Sequence, residues 1–174
     1  EISSRTSYRF SAARAYSALV DKRIEELGEE RVMSYQRIGV FLGTSTAGIL
    51  QTEVDYRERD ASTGALPAWL HYGHTHNTYS VSAYVRAALG LQGPAYVVST
   101  ACSSSAKVFG SAARTIEAGL IDAAVVGGVD SLCLTTLYGF SSLQLTSTRP
   151  CRPFDKNRDG ISIGEAAAYF LIER

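Results

Sequence analysis

Val97-Val98-Ser99-Thr100-Ala101-Cys102-Ser103-Ser104-Ser105-Ala106 is the stretch that decides how this chain is read. A short apolar, β-favouring run ends at a cysteine, and small residues then open a helix. A cysteine placed there sits beside unpaired backbone N–H groups and the positive end of the helix dipole. Both stabilise negative charge on sulfur and so make the thiol a nucleophile. The small residues after Cys102 leave room for a substrate carbonyl to reach the sulfur. Position alone also fits a buried small hydrophobe, the commoner fate of a free cysteine.

Working outward, strand and helix patterns alternate. A buried strand at 38–42 leads into Gly43-Thr44-Ser45-Thr46-Ala47-Gly48, and a polar helix follows at 49–60. A loop at 61–76 holds Pro67 and all three histidines. Asn77 or Thr78 caps a helix that reaches Leu89, ended by Gly90. A strand at 95–99 precedes Cys102, whose helix runs to about Ala118 and stops at Gly119. A strand at 123–126 ends in Gly127-Gly128, and a short helix spans 134–143. A polar loop at 146–159 leads to a closing hairpin, with arms at 161–164 and 167–172. Upstream, residues 7–27 form an amphipathic helix with Tyr8, Ala12, Ala15, Tyr16, Leu19 and Leu27 near one face, stopped by Gly28. This order predicts an α/β layer fold around a largely parallel sheet, covered on both faces because its strands are continuous apolar runs. In such sheets the functional edge lies at the carboxyl ends of the strands. Gly43-Thr44-Ser45, Cys102 and Gly127-Gly128 all follow strands, and that convergence favours a functional Cys102.

The chain has 174 residues, enough for one domain with a sizeable core. Its 17 basic and 17 acidic residues balance, which argues against nucleic acid as a partner. No apolar run approaches the ~20 residues of a membrane span, and no signal-peptide pattern opens the sequence. Three cysteines (Cys102, Cys133 and Cys151) lack framework spacing, so a reducing cytoplasm is the expected setting. The first residues carry no start signal, and the last strand stops without a cap. The chain therefore reads as a piece of something longer.

Three ordered blocks share one resemblance. Thr100-Ala101-Cys102-Ser103-Ser104-Ser105 resembles the nucleophile motif of β-ketoacyl-acyl-carrier-protein synthases, in a Ser-rich version also found in polyketide ketosynthases. Val125-Val126-Gly127-Gly128-Val129-Asp130 resembles the glycine-ended strand that follows the nucleophile helix in that family. Arg152-Pro153-Phe154-Asp155, Arg158-Asp159-Gly160 and Gly164-Glu165-Ala166 resemble its downstream signature, with Ala166 where a glycine is usual. The resemblance covers about residues 38–174. It implies the thiolase-like fold, two similar α/β halves, of which residues 1–174 would be the amino-terminal half without its opening strand. The second half would supply two histidines, a lysine and one of the two oxyanion-hole N–H groups.

What the resemblance implies chemically is a condensing enzyme. Cys102 would accept an acyl group from acyl carrier protein, and decarboxylated malonyl-carrier would attack that acyl-enzyme, with neither cofactor nor metal. The backbone N–H of Cys102 would be one oxyanion donor. Thr46 matches a position at the acyl channel, Phe140 an aromatic that gates acyl entry, and Tyr72 a residue at the channel rim. A satisfied loop hydroxyl for Thr46 and plain core for Phe140 remain open. Gln144 stands where the family often has a basic carrier-protein contact. Family members dimerise through the strand before the nucleophile, here 95–99, so a homodimer or a heterodimer with a related subunit is expected. The segments Gly48-Ile49-Leu50-Gln51-Thr52-Glu53 and Asn77-Thr78-Tyr79-Ser80-Val81 look more like synthases of pigment-type polyene pathways than housekeeping ones. Two other readings stand beside this one. A non-catalytic, chain-length-factor-like partner subunit would usually lack the nucleophile, and thiolase-type exchange on coenzyme A would need different glycine-rich blocks.

The remaining candidates read as structural. Zinc needs three or four ligands in tetrahedral array, so His71, His74 and His76 in one loop are expected to be surface histidines. Among Asp155, Arg158, Asp159 and Glu165, Arg158 is expected to pair locally with carboxylates while Asp159-Gly160 turns the closing hairpin. Cys133 and Cys151 lack the strand-to-helix setting of Cys102.

Overall fold

The computed structural model describes residues 35–174, so the helix expected at 7–27 lies outside the described residues. In chain order the elements are β1 (Ile38–Gly43), α1 (Ile49–Arg57), a π-helical turn (Tyr72–His76), α2 (Ser80–Ala88) and β2 (Ala95–Val98). They continue with α3 (Ser104–Glu117), β3 (Ala123–Asp130), α4 (Leu134–Ser142) and β4 (Ala166–Glu173). One four-stranded sheet results, in the order β2-β1-β3-β4. β1 runs parallel to both β2 and β3, while β4 is antiparallel to β3.

The period of two along β1 explains why its sequence looks uniformly apolar. Ile38, Val40 and Leu42 share one core with Leu91, Ala123 and Val125, closed by Val81 and Val85 of α2. Phe41 points to the other face, where Val108, Ala112 and Ile116 of α3 pack with Ile121, Ala124 and Val126. All six residues of β1 are therefore buried. Each large apolar side chain so buried contributes roughly 1.5–3 kcal/mol.

Three helices end in the same way. The N–H of Leu91 bonds Arg86 O, that of Leu120 bonds Thr115 O, and that of Leu145 bonds Phe140 O. These closures need a left-handed residue just before the donor. Gly90 and Gly119 supply it as expected, but after α4 the residue is Gln144, with φ 58°. The helix expected to reach residue 60 stops at Arg57 because Asp60 commits to a turn. Its Oδ1 accepts the hydroxyls and backbone N–H groups of Ser62 and Thr63. Those bonds, the Ser62 hydroxyl foremost, hold the Asp60 carboxyl well below the usual carboxylate range.

The closing hairpin does not form. Its second arm is β4, but β4 pairs along its whole length with β3, from Ala123↔Glu173 to Asp130↔Ala166. The first arm contributes only a lone bridge between Ile161 and Thr146. Gly160, at φ 133°, lies against the backbone of residues 145–147, which takes up the hydrogen bonds a hairpin partner would need. Nor does Arg158 hold the carboxylates, since its guanidinium donates to the Asp155 carbonyl at 3.1 Å. Asp159 is gripped instead by Arg149 at 2.8 Å, by Arg152 at 3.2 Å and by the Ser147 hydroxyl at 3.0 Å. The Arg149 hydrogen bond is the main reason its carboxyl is lowered to about 2. No helix among the described residues is long and apolar enough to cross a membrane.

Candidate active site

Cys102 lies on the turn between β2 and α3 and is exposed. The serines around it are not merely small. Ala101, in the left-handed region at φ 53°, presents its carbonyl to the Ser104 N–H at 3.1 Å and the Ser104 hydroxyl at 2.6 Å. A third donor, the Ser45 hydroxyl, reaches the same carbonyl at 3.0 Å from the loop after β1. The Thr100 N–H donates to Ser104 Oγ at 2.8 Å, and the Ser103 hydroxyl to Thr100 O at 2.9 Å. The run of hydroxyls thus fixes a turn that a non-glycine residue adopts only at a cost.

Glycines at two strand ends let this turn sit directly on the sheet. A Cβ on Gly43 would collide with the backbone of Ser104 and Ser105. One on Gly128 would strike the Ser105 hydroxyl. The convergence expected of the three strand ends is therefore observed at close range, with the ends of β1 and β3 both pressed against the first turn of α3.

Asp130, the last residue of β3, ties the loop after β1 into the same corner. Its Oδ1 accepts the Ser45 N–H at 2.7 Å, the Thr46 N–H and hydroxyl at 3.0 Å each, and the Thr44 hydroxyl at 3.2 Å. Thr46 is nearly buried, and its hydroxyl also accepts the Ser131 N–H at 2.8 Å. That hydroxyl is a satisfied loop group, which leaves the Thr46 methyl as its apolar surface. A cleft of about 480 Å³ opens beside Ser105, Phe109, Gly128, Asp130, Glu165 and Phe170.

Tyr72 and Phe140 stand on separate elements, and the hydrogen bonds around Cys102 reach neither. Tyr72 is 66% exposed on the π-helical turn. Phe140 is half-buried on α4, whose first turn is capped by the Glu53 carboxylate of α1. The Thr135 hydroxyl, at 2.6 Å, is the main cause that lowers the Glu53 carboxyl below its ordinary range.

His76 is not a surface histidine. Its side chain is 3% exposed, and Nε2 lies 2.7 Å from Oδ2 of Asp55, itself fully buried. Nδ1 lies 2.7 Å from the Thr52 hydroxyl, which donates to Gly48 O at 2.9 Å. The pair clamps the π-helical turn onto α1, where a Cβ on Gly48 would collide with the Thr75 carbonyl. His71 and His74 pack edge to face, with ring centres 6.4 Å apart. Among the described residues no group of three or more His, Cys, Asp or Glu side chains is arranged to hold a metal ion. Cys133 is buried and Cys151 exposed. Sequence reading assigned no role to Asp130, Ser45, Glu53 or Asp55. The only signal for Asp130 was its place at the end of a glycine-rich strand.

The model of the family described as beta-ketoacyl synthase, N-terminal domain, matches residues 5–174. A putative polyketide beta-ketoacyl synthase 1 of Streptomyces cyaneus is 33% identical over 179 residues, covering 95% of this chain and 41% of the relative. The 3-oxoacyl-[acyl-carrier-protein] synthase 2 of Rhizobium meliloti is 32% identical, covering 94% and 40%. Among solved structures, a chain of the complex between a ketosynthase and its chain length factor from Xenorhabdus doucetiae superposes with a TM-score of 0.71 at 36% identity. That match covers 89% of this chain and 38% of the matched chain of the complex. The chain thus spans about two fifths of the length of these relatives.

Proposed function

The chain belongs to the β-ketoacyl synthase family, with its thiolase-like α/β fold, and from that premise we propose that it is the amino-terminal part of a condensing enzyme built around Cys102. The sulfur attacks the carbonyl carbon of an acyl thioester on acyl carrier protein, and the carrier thiol leaves as its carbon–sulfur bond breaks. Malonyl-carrier then loses carbon dioxide. The resulting carbanion attacks the acyl-enzyme carbonyl, forming the new carbon–carbon bond and returning the Cys102 thiolate. The Cys102 N–H is one oxyanion donor, and loss of such a donor typically costs about 10²–10³ in rate. The Thr46 methyl, Tyr72 and Phe140 are proposed walls of the acyl channel. No cofactor enters the reaction.

One observation carries this reading: an exposed cysteine on a strand-to-helix turn whose preceding carbonyl is held by three donors. The partner subunit is proposed to dock along β2, which has only β1 as a neighbour among the described residues. A chain length factor is the proposed occupant, since the Xenorhabdus doucetiae ketosynthase was solved in complex with one. The alternative that this chain is itself a chain length factor is disfavoured by its retained cysteine. In the full-length protein, iodoacetamide is expected to label Cys102 and stop condensation, and Cys102→Ala to abolish it. Full condensation activity in Cys102→Ala would overturn the proposal.

A further inference from the structure

We propose that Asp130 is the positioning residue of the nucleophile turn, acting on Cys102 through Ser45 and Ala101. The inference rests on the reading of Cys102 as the nucleophile and adds a residue that does not touch the reacting atoms. Ala101 holds a left-handed conformation at φ 53°, which persists only where surrounding contacts over-determine it. Of the three donors on its carbonyl, two come from Ser104, inside the same turn. Only the Ser45 hydroxyl reaches it from another part of the chain, 56 residues away in sequence.

Ser45 is itself held by Asp130. A single carboxylate oxygen gathers the N–H groups of Ser45 and Thr46 and the hydroxyls of Thr44 and Thr46. Hydrogen bonds to an ionised acceptor are stronger and more sharply directed than neutral ones. The anchor is rigid, because Asp130 is the last paired residue of β3, opposite Ala166 of β4. One carboxylate therefore sets the height of the 44–46 loop over the sheet. The loop in turn sets the carbonyl that aims the residue before Cys102. The same oxygen fixes Thr46, so the nucleophile turn and the proposed acyl-channel loop move together.

The three cysteines of this chain make the test internally controlled. Cys102 and Cys151 are exposed, and Cys133, three residues beyond Asp130, is 1% exposed and reports local unfolding. Alkylation by limiting iodoacetamide is followed at each cysteine by peptide mapping of the full-length protein. In the parent, Cys102 is expected to react ahead of Cys151 while Cys133 stays protected. In Asp130→Ala the Cys102 rate is expected to fall by about tenfold relative to Cys151, the kinetic equivalent of one charge-assisted hydrogen bond. Asp130→Asn, which keeps an acceptor oxygen, is expected to fall less.

Removal of a negative charge alone would speed a thiolate reaction, so a fall separates positioning from electrostatics. An unchanged or faster Cys102 with Cys133 protected overturns the inference and leaves the nucleophile reading intact. A parent Cys102 no faster than Cys151 overturns both. Should Asp130→Ala expose Cys133, Ser45→Ala decides, since it deletes only the link to Ala101. A slower Cys102 in Ser45→Ala supports the inference, and an unchanged one overturns it.

Discussion

Asp55 and His76 show what one buried pair can do for a loop. Their side chains, 0% and 3% exposed, meet at 2.7 Å between α1 and the π-helical turn. Gln51 donates to the other Asp55 carboxylate oxygen at 2.8 Å. Removing one member leaves the polar atoms of the other buried without that partner. Asp55→Ala is therefore expected to lower stability by roughly 1–3 kcal/mol, read from the urea midpoint of the full-length protein. A loss below about 1 kcal/mol, the level of an exposed pair, would refute the clamp. Asp159 makes the contrasting residue-scale case, because it is anchored in solvent. Its folded carboxyl lies at about 2, below the 3.8 of a free one, mainly through the Arg149 hydrogen bond. A depressed folded value means that this contribution to stability is fully present above pH 3.8 and is lost as pH falls through about 2. NMR titration is expected to place the Asp159 midpoint near 2 and to show it rising in Arg149→Ala. A midpoint at the ordinary aspartate value would remove the anchor.

At the scale of elements, the contact between β1 and α3 is the tightest constraint on the site. The collision of a Gly43 Cβ would be with main chain, at Ser104 and Ser105, and main chain cannot swing aside as a flexible side chain does. Gly43→Ala is thus expected to push the first turn of α3 off the sheet, at a cost of about 1–3 kcal/mol. Alkylation of Cys102 should slow with it, while Gly139→Ala, which meets nothing within 4 Å, should be neutral for the site. Equal effects from both substitutions would mean that close packing is not what matters at Gly43. This layer was largely legible in the sequence. Apolar runs located all four strands, although only β1 is buried along its whole length, and the expected cover on both faces is missing from β4, which is exposed almost throughout among the described residues. Gly90 and Gly119 marked two helix ends, but Gln144 at the third offered no such mark. What failed was pairing across distance. β4 was foreseen as a strand, yet its partner is β3, which offers eight paired residues, while 161–164 turn to Thr146 through a lone bridge. His76 failed for the same reason, since nothing local tells a histidine that an aspartate 21 residues upstream awaits it in the core. Asp130 likewise gains meaning only once folding brings the loop after β1 to the end of β3.

At the scale of the molecule, the proposed nucleophile stands on an open surface of the described residues. The Cys102 turn is exposed, and the cleft beside it opens between α3 and the β3–β4 edge of the sheet. Phe170 of β4, 54% exposed, lies against Phe109 of α3 with ring centres 5.8 Å apart, leaving an apolar wall with nothing over it among the described residues. Condensation asks more of a site than a nucleophile does. It needs donors for two successive oxyanions, and a group that favours loss of carbon dioxide from malonyl-carrier. The hydroxyls of Ser45, Thr46, Ser103 and Ser104 are already engaged with Ala101, Thr100 and Asp130. His76, a polarising group by type, has its ring nitrogens turned to Thr52 and Asp55 at 2.7 Å each, away from solvent. Alkylation and condensation should therefore separate experimentally. Residues 1–174 produced alone are expected to alkylate at Cys102 if they fold, yet to form no carbon–carbon bond from acyl- and malonyl-carrier. Full-length protein should do both. Turnover to a β-ketoacyl product by residues 1–174 alone would show that the chemistry is complete within them, and would transfer the polarising role to a residue of this chain.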